Sequence, residues 1–450
     1  MACLAVYPPC STGSCAPGRG RAECAPVVVP SPGNHTDLAA LGMSSGHSPL
    51  AALSKECGCI WSLDADMNKG LHSEELAPFQ EIFFPGLAEI LTLLLGKGQG
   101  LSLERLGHLN HDFLESARRQ RLTPWLFREV ARRGWEGLLS PVSLAALRRD
   151  YVQAWREADR EQQEIRQVTA ALVDAGIEPI FLKGADLRLR LYGDEAVRPM
   201  ADLDILVSPS QVNRARGVLE SLGFGLQTQC FDPRPGWRAR FRNELHFDPP
   251  PGWPLLIDLH WQLDNIHRFY HLPYAQLQEK AIPSEYQGYP VKLLCPEHLL
   301  IHLALHTYGE PDSVLKIIDL EGALSLPLDW PFFLEEVARF SCQRPLYVIL
   351  LGISRLFPQK VPPIILDRLG QARPSWVEKL VLRGSLGSLT GHAAILYHHR
   401  RLSDWFFYLK ALTWPQEEYL TAMYGRPDRF HFFRQILAPL FSSAKNWGPH

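Results

Sequence analysis

A change of hydrophobic period at Gly176 constrains the fold of this chain more than any other feature of its sequence. Before it, apolar residues recur at helical spacing through residues 142–175, which predicts one long amphipathic helix with a solvated face. After it come two apolar runs of strand length, at residues 177–182 and 202–207, with a helical pattern between them. Because strands and helices alternate from this glycine onward, the sequence predicts an α/β core.

Three further strand candidates extend this core, at residues 225–230, 244–248 and 255–261. Residues 249–252 read Pro-Pro-Pro-Gly, a sequence typical of a turn, so the last two strands are predicted to run antiparallel. The predicted core spans residues 161–272, about 100 residues, which is a common size for a domain.

Helical patterns flank the predicted core on both sides. Residues 78–160 form a predicted N-terminal helical segment, and residues 273–450 form a predicted C-terminal helical domain. A chain of 450 residues exceeds the size at which one hydrophobic core stops growing, so two or three domains are expected. The predicted fold class is therefore α/β (α+β), with a small mixed sheet between two helical regions.

The first 77 residues differ in composition from the rest of the chain. They are rich in Pro, Gly, Ser and Ala and hold six of the nine cysteines, with few periodic apolar residues. Two of these cysteines, Cys57 and Cys59, lack the two-residue gap of a zinc site, and no second pair is present. We expect residues 1–77 to be a disordered tail. Since more ordinary sequence begins at Met67, a further hypothesis is that residues 1–66 are not part of the native protein.

Charge patterning disfavours a nucleic-acid partner. The chain has 46 basic and 48 acidic residues, a net charge of −2, and no basic run interleaved with aromatic residues. A membrane partner is also disfavoured, because the apolar stretch at residues 82–95 is interrupted by Glu89 and is too short to cross a bilayer. The chain does not open with a basic segment followed by an apolar core, so we expect no signal peptide and a cytoplasmic protein.

Two carboxylates two residues apart are the first candidates for chemistry. Asp202 and Asp204 lie on one predicted strand, so their side chains share a face and repel each other unless a cation lies between them. Mg²⁺ suits hard oxygen ligands of this kind, and Asp258 on another strand can supply a third carboxylate. Three carboxylates can hold two metal ions roughly 3.5–4 Å apart, the arrangement used for phosphoryl displacement. The alternative is that both aspartates are solvated residues at a strand end.

A Lys-Gly pair lies where a predicted strand gives way to a helix. Gly184 lets the backbone approach a phosphate closely, the helix N-terminus offers free N–H groups, and Lys183 adds a positive charge. The alternative interpretation is a simple tight turn with a surface lysine.

Three motifs occur in order along the chain. They read Phe-Leu-Lys-Gly-Ala at 181–185, Arg-Pro-Met-Ala-Asp-Leu-Asp-Ile-Leu-Val at 198–207 and Ile-Asp-Leu-His-Trp at 257–261. In this combination the chain resembles the uncharacterised nucleotidyltransferase family of the DNA polymerase β-like nucleotidyltransferase superfamily. The resemblance continues through residues 296–306 and 316–319, covering the chain from about residue 78 to about residue 425 and leaving out the tail.

The resemblance implies a role for each matching residue. Asp202 and Asp204 would be the metal-binding pair and Asp258 the third catalytic and metal-binding carboxylate, with two Mg²⁺ ions. Lys183 and Gly184 would hold the triphosphate of an NTP, although Lys-Gly departs from the more usual Gly-Ser turn of the superfamily. Arg198 would either clamp a phosphate or form a salt bridge that shapes the turn before the strand.

Several polar residues outside these motifs have open roles. His298, His302 and His306 recur every four residues and so lie along one helix face, where structural or substrate-lining roles are favoured over metal binding. His260 shares a strand face with Asp258 and could orient substrate or be a hydrogen-bonded core histidine. Lys316 and Asp319 lie one turn apart and could form a helix salt bridge or lie over the cleft. Both residues belong to the part of the chain that resembles the family.

Two functions are consistent with these residues. The first is an enzyme that moves a nucleoside monophosphate from an NTP to a hydroxyl on a small molecule, peptide or protein. The second is a catalytically silent nucleotide-binding or regulatory module with the same fold. The presence of all three carboxylates favours the enzyme, because a decayed site has no need to keep mutually repelling charges together. The sequence identifies neither the acceptor, nor the NTP, nor the oligomeric state.

Overall fold

The computed structural model of the chain describes residues 111–265, 270–310, 313–372, 401–425 and 427–430. The predicted tail at residues 1–77 lies outside these residues, as do residues 78–110 of the predicted N-terminal helical segment and parts of the predicted C-terminal domain. Within the described residues, no helix combines the length and the apolarity needed to cross a bilayer.

Among the described residues, three helices precede the sheet: α1 (His111–Arg119), α2 (Thr123–Arg133) and α3 (Pro141–Asp174). α3 begins where the Ser140 side chain accepts a hydrogen bond from the backbone N–H of Ser143 at 3.0 Å. It ends before Gly176, whose φ of 70° is the left-handed conformation that glycine adopts without strain. The structure therefore confirms the predicted long helix and its glycine cap.

A mixed sheet follows α3. The strands are β1 (Ile180–Phe181), β2 (Asp202–Leu206), β3 (Gly225–Leu226), β4 (Glu244–Asp248), β5 (Leu256–His260), β6 (Gln262–Asn265), β7 (Tyr270–Pro273), β8 (Ile282–Tyr286) and β9 (Tyr289–Leu293). The helices among them are α4 (Lys183–Leu187), α5 (Val212–Ser221), α6 (Trp237–Phe241) and α7 (Tyr274–Glu279). Seven strands form one sheet in the order β3-β4-β5-β2-β1-β9-β8, while β6 and β7 form a separate hairpin. The predicted α/β class with a mixed sheet is confirmed.

The sheet extends further along the chain than the sequence analysis predicts. β8 and β9 form a hairpin around Gln287 and Gly288, whose φ values of 48° and 90° suit a tight turn. β9 then pairs in parallel with β1, which brings Lys292 opposite Ile180. The prediction that helices alone follow residue 273 is therefore wrong for this hairpin, and the strands of the core continue to Leu293. The pairing with β1 joins distant segments, which a local apolar pattern does not reveal.

The two faces of the sheet bury different sets of residues. One face packs against α3 and α5 in a single apolar cluster that includes Phe181, Ile205, Leu259, Leu172 and Leu219. On the other face, Ile180 and Leu206 join a second cluster formed with the C-terminal helices. Polar side chains of β2 and β5 also lie on this second face, since residues at even spacing along a strand point the same way.

The C-terminal helices cover part of this second face. The described helices after the sheet are α8 (Pro296–Gly309), α9 (Val314–Ala323), α10 (Trp330–Arg339), α11 (Gln343–Leu356), α12 (Pro363–Gly370), α13 (Leu402–Thr413) and α14 (Glu417–Tyr424). Of these, α8 to α12 contribute to the second cluster, whereas α13 packs against Trp237 and Phe241 of α6. Leu299, Leu300 and Leu303 of α8 are buried in the second cluster. The space left between α8 and the polar end of the sheet forms the cavity described below.

Glu164 of α3 makes the stability of this fold dependent on pH. Its buried carboxylate accepts a hydrogen bond from the backbone N–H of Leu255 at 3.3 Å, and burial raises its pKa from 4.5 to about 7. An acid whose pKa rises on folding costs stability progressively as the pH increases from 4.5 to about 7. We expect Glu164→Gln to increase the free energy of unfolding at pH 8 by up to about 3 kcal/mol, and the gain to vanish toward pH 4.

Urea unfolding of both proteins at pH 4, 6 and 8 measures this effect. Glu157→Gln, an exposed change on the same helix, is the control and should alter stability little at any pH. A Glu164→Gln protein no more stable than the wild type at pH 8 would contradict the expected pH dependence.

Candidate functional site

Carboxylates from two adjacent strands lie on one face of the sheet. β2 and β5 pair in parallel, with Asp204 directly opposite Asp258, and Asp202 shares the face of Asp204 because it lies two residues away. The ligand atoms of Asp204, Asp258 and His260 all lie within 4.8 Å of one another, so these three side chains could hold a metal ion. His260 thus shares the face of Asp258, as its place on the strand predicts.

A cavity of about 770 Å³ lies over these carboxylates. The sheet forms one wall, and His302, Leu305 and His306 of α8 form part of another. Both signs of charge line it: the basic residues are Arg121, Lys183, Arg198, Arg242 and Lys316, and the acidic residues are Asp202, Asp204, Glu244, Asp258 and Glu310. The structure therefore brings all six predicted site residues, Lys183, Gly184, Arg198, Asp202, Asp204 and Asp258, to one cavity.

Lys183 contacts Asp204 directly. Its Nζ lies 2.7 Å from Oδ1 of Asp204, and the Asp204 side chain is only 2% exposed. Burial alone would lower the pKa of Lys183, but the nearby Asp204 outweighs burial and raises it, so the lysine is charged. Lys183 has a left-handed backbone with a φ of 42°. At Gly184, a Cβ atom would lie 2.9 Å from Cγ of Met200, so glycine allows this close packing.

His260 is the second partner of Asp204. Its Nε2 lies 3.0 Å from Oδ1 of Asp204, the atom that Lys183 also contacts. Burial alone would raise the pKa of Asp204, but Lys183 and His260 outweigh it and hold that pKa well below its usual range. On the other side of the ring, Nδ1 of His260 lies 3.2 Å from Oε2 of Glu244 but outside hydrogen-bond geometry, and finds no hydrogen-bond partner among the described residues.

The other two predicted carboxylates have different surroundings. Burial, and then the charge of Asp204, raise the pKa of Asp202 to about 6, because two carboxylates on one strand face repel each other. Asp258 is hydrogen-bonded through Oδ1 to Nδ1 of His246 at 2.7 Å. This hydrogen bond, which outweighs burial, raises the pKa of His246. The site therefore carries negative charge that no positive side chain fully neutralises at Asp202.

Arg198, in the segment before β2, forms a salt bridge with a residue of helix α9. Its Nη2 lies 2.9 Å from Oδ2 of Asp319 on α9, and its Nε lies 3.1 Å from both carboxylate oxygens. Asp319, whose side chain is 2% exposed, also accepts the hydroxyl of Tyr192 at 2.6 Å. In this structure Arg198 therefore makes the salt bridge that was one of its two predicted roles. Lys316, the other residue of that motif, donates to the carbonyl of Glu310 at 2.8 Å.

The three regularly spaced histidines of α8 do not share one environment. Nε2 of His298 lies 2.9 Å from Oε2 of Glu336, and both side chains are buried away from the cavity lining. His302 and His306 line the cavity, and burial lowers the pKa of His302 to about 3 and that of His306 well below its usual value. His302 and His306 are thus neutral rings facing the site, whereas His298 has a structural contact.

Sequence reasoning missed two residues of the site, Glu244 and His246. Both lie on β4, which runs antiparallel to β5 and brings Glu244 opposite His260 and His246 opposite Asp258. The strand itself was predicted at residues 244–248, and its alternation places both side chains on one face. The sequence did not show that β4 pairs with β5. That pairing is what brings Glu244 and His246 close to the carboxylates.

The mixed sheet presents its carboxylates at the wall of one cavity. Residues 110–358, more than half of the chain, match the sequence profile of the family described as uncharacterised nucleotidyltransferase. The chain belongs to this family. The family assignment supports a role in nucleotidyl transfer.

Two solved structures are similar to part of the chain. The antibiotic-resistance factor ANT(2'')-Ia is 13% identical with a TM-score of 0.27, covering 47% of this chain and 91% of its own. An antigenic nucleotidyltransferase-like protein from Paracoccidioides brasiliensis is 16% identical with a TM-score of 0.30, covering 48% of this chain and 94% of its own. No curated protein matches the chain in a sequence comparison.

Proposed function

We propose that this protein transfers a nucleoside monophosphate from an NTP to a hydroxyl acceptor, with Mg²⁺ as its cofactor. The observation that carries the proposal is the pairing of Asp204 with Asp258 on parallel strands, with Asp202 on the same face, at the wall of the cavity. A cavity of about 770 Å³ is large enough for a nucleotide, because small-molecule sites are typically about 300–1,000 Å³.

The residues at this wall fit a divalent cation. Asp204 and Asp258 offer the oxygen ligands that Mg²⁺ prefers, close together, and His260 adds a nitrogen within the same cluster. Burial, and then the charges of Asp204 and Asp258, raise the pKa of Asp202, and a bound cation would offset that repulsion. We propose that Asp202, Asp204 and Asp258 hold two Mg²⁺ ions; when bound, these would neutralise phosphate charge and acidify the attacking hydroxyl.

In the proposed reaction the acceptor oxygen forms a bond to the α-phosphorus of the NTP. The bond from that phosphorus to the bridging oxygen of the β-phosphate breaks, and pyrophosphate leaves. Asp258 is our candidate to receive the hydroxyl proton, and the hydrogen bond from His246 at 2.7 Å fixes its carboxylate. His246 acts through Asp258 and is a positioning residue.

The basic residues of the cavity can neutralise the triphosphate. We propose that Lys183 and Gly184 contact the phosphates and that Arg198 lies at the same end of the cavity, held by Asp319. In this arrangement residues 161–272, extended by the β8–β9 hairpin, form the catalytic core. Helices α1–α3 precede this core, and α8 and α9 line the cavity.

Labelled nucleotides test the proposed reaction. Purified protein is incubated with Mg²⁺, a cell extract and each of the four NTPs, labelled either at the α-phosphate or at the γ-phosphate. Nucleotidyl transfer should label an acceptor from the α-labelled NTP only, whereas phosphoryl transfer would use the γ-label. If neither label reaches any acceptor while the protein still binds NTP, the enzyme proposal is wrong.

A catalytically silent nucleotide-binding module remains the second candidate. The observation that favours it is the Lys183–Asp204 ion pair, because a lysine held permanently on this carboxylate would exclude a metal ion. The same labelling experiment separates the two functions, since the silent module binds nucleotide without transferring label.

Nucleotide binding should raise the melting temperature in a metal-dependent way. A ligand that binds only the folded state stabilises it by about 2.7 kcal/mol at one hundred times its Kd. We expect Mg²⁺ with millimolar NTP to raise the Tm of the wild type, and Asp202→Asn to lose the part of the shift that requires Mg²⁺. Differential scanning fluorimetry with and without EDTA measures the Mg²⁺-dependent part of the Tm shift.

The control for this shift is Asp248→Asn, which removes an exposed carboxylate of β4 that does not line the cavity. Its Mg²⁺-dependent shift should equal that of the wild type. The absence of a Tm shift with all four NTPs at millimolar concentration would count against nucleotide binding itself.

A further inference from the structure

We propose that the Lys183 ammonium occupies the cation position of the site and must leave Asp204 when a divalent metal binds. Its release toward the triphosphate would make metal binding and nucleotide binding depend on each other. This inference rests on the proposed function and deepens it, since it concerns the order and coupling with which the same site is loaded.

The first support is that two side-chain nitrogens contact a single oxygen of Asp204. Oδ1 of Asp204 lies 2.7 Å from Nζ of Lys183 and 3.0 Å from Nε2 of His260. His260 also belongs to the group whose ligand atoms lie within 4.8 Å of one another, together with Asp204 and Asp258. A divalent ion bound by this group would therefore lie near the ammonium, and like charges at such distances repel strongly in a partly buried site.

The second support is the way in which the lysine is attached. Its backbone is left-handed, with a φ of 42°, and the next residue is Gly184, packed against Met200. A larger residue has no room at position 184, and the Lys183 ammonium can move by rotation of its own four-carbon stem. That side chain is 19% exposed to the cavity, whereas its partner Asp204 is 2% exposed. The Lys183 side chain therefore has room to move away from Asp204, whereas the Asp204 carboxylate is enclosed by the protein.

The consequence is a coupling between two ligands. Metal that binds alone must displace Lys183 from its ion pair with Asp204, and the ammonium then loses its closest acidic contact among the described residues. Metal that arrives with an NTP supplies that partner, because the triphosphate is an anion within reach of the cavity wall. By thermodynamic linkage, the factor by which nucleotide tightens metal equals the factor by which metal tightens nucleotide.

Mn²⁺ binding to the full chain tests the proposal without any assay of activity. Free Mn²⁺ is measured by electron paramagnetic resonance in wild type and in Lys183→Gln, with no nucleotide present. Removal of the competing charge should tighten Mn²⁺ binding by about tenfold or more. Binding of the Mn²⁺ complex of an α,β-methylene NTP analogue, measured by calorimetry, should weaken by about tenfold in the same variant, since the phosphates lose their ammonium.

Displacement predicts tighter Mn²⁺ binding and weaker nucleotide binding in Lys183→Gln. If Lys183 had only a structural role, its loss would weaken both Mn²⁺ binding and nucleotide binding. Lys183→Arg keeps a positive charge and should keep the weak Mn²⁺ binding of the wild type. Lys292→Gln, which removes a lysine of the same sheet that pairs with Glu178 and does not line the cavity, should leave both affinities unchanged. If Lys183→Gln fails to fold, Lys183→Met, with a stem of similar length and no charge, takes its place.

Three outcomes are informative. Tighter Mn²⁺ binding with weaker nucleotide binding in Lys183→Gln supports the proposal. Unchanged or weaker Mn²⁺ binding in this variant overturns it, even if the wild type binds Mn²⁺–nucleotide, and the proposed function then stands. Failure of the wild type to bind the Mn²⁺–nucleotide complex overturns the proposed function as well.

Discussion

Asp258→Ala should lower the rate of nucleotidyl transfer by about 10²–10⁴-fold and leave most of the Mg²⁺–nucleotide binding intact. Asp202 and Asp204 lie on β2, whereas Asp258 lies on β5, so its removal leaves the pair on β2 unchanged. The loss falls on the proton transfer that we assign to Asp258. Rates are measured with α-labelled NTP, and binding is measured from the Mg²⁺-dependent shift in Tm.

The control for this prediction is Asp248→Ala, at the far end of β4, which should transfer label at the wild-type rate. Asp204→Asn serves as the comparison that should lose both transfer and metal-dependent binding, because it breaks the carboxylate pair on β2 and removes the charge that Lys183 and His260 contact. An Asp258→Ala protein with unchanged transfer would remove Asp258 from the mechanism.

Asp319→Ala should lower the free energy of unfolding by about 3–5 kcal/mol, the cost of leaving a buried charge without its partner. The Arg198 side chain is 14% exposed, and both oxygens of Asp319 receive its hydrogen bonds. The hydroxyl of Tyr192 would also lose its acceptor. Urea unfolding followed by circular dichroism measures the change, at the pH at which wild-type unfolding is reversible.

Glu321→Ala is the matched control, two residues further along α9. Glu321 pairs with Lys360 near the surface, with both side chains about one third exposed, so its loss should cost at most about 1 kcal/mol. The double variant Arg198→Met with Asp319→Leu should be more stable than Asp319→Ala, because it leaves no unpaired charge. Equal destabilisation by Asp319→Ala and Glu321→Ala would show that the buried pair is no more important than a surface pair.

Helices were predictable from the sequence because their signals are local. Ser140 and Gly176, which bound α3, act within one turn of the helix end, and the apolar spacing between them needs no distant partner. The hairpin of β8 and β9 has a local signal at its turn, where Gln287 and Gly288 both take positive φ values. Its place beside β1 was not encoded locally, since that pairing joins segments more than one hundred residues apart.

The site was predictable in part for the same reason. The alternation of side chains along a strand gave the shared face of Asp202 and Asp204 and that of Asp258 and His260. By contrast, the partner of Arg198 lies 121 residues away on a different helix, so the sequence offered no means of choosing between its two roles. Glu244 and His246 were missed because their role arises only from the antiparallel pairing of β4 with β5.

The strand order also bears on how the chain is synthesised. β1 lies between β2 and β9, and β9 is made only after every other strand of the sheet. Until residue 293 leaves the ribosome, β1 can pair with β2 but lacks its other neighbour, β9, so the sheet stays incomplete. Such long-range pairings fold slowly, so a growing chain of this protein passes through a period in which it is exposed to aggregation. Ribosomes stalled before and after β9 should therefore carry nascent chains that differ sharply in their need for a chaperone.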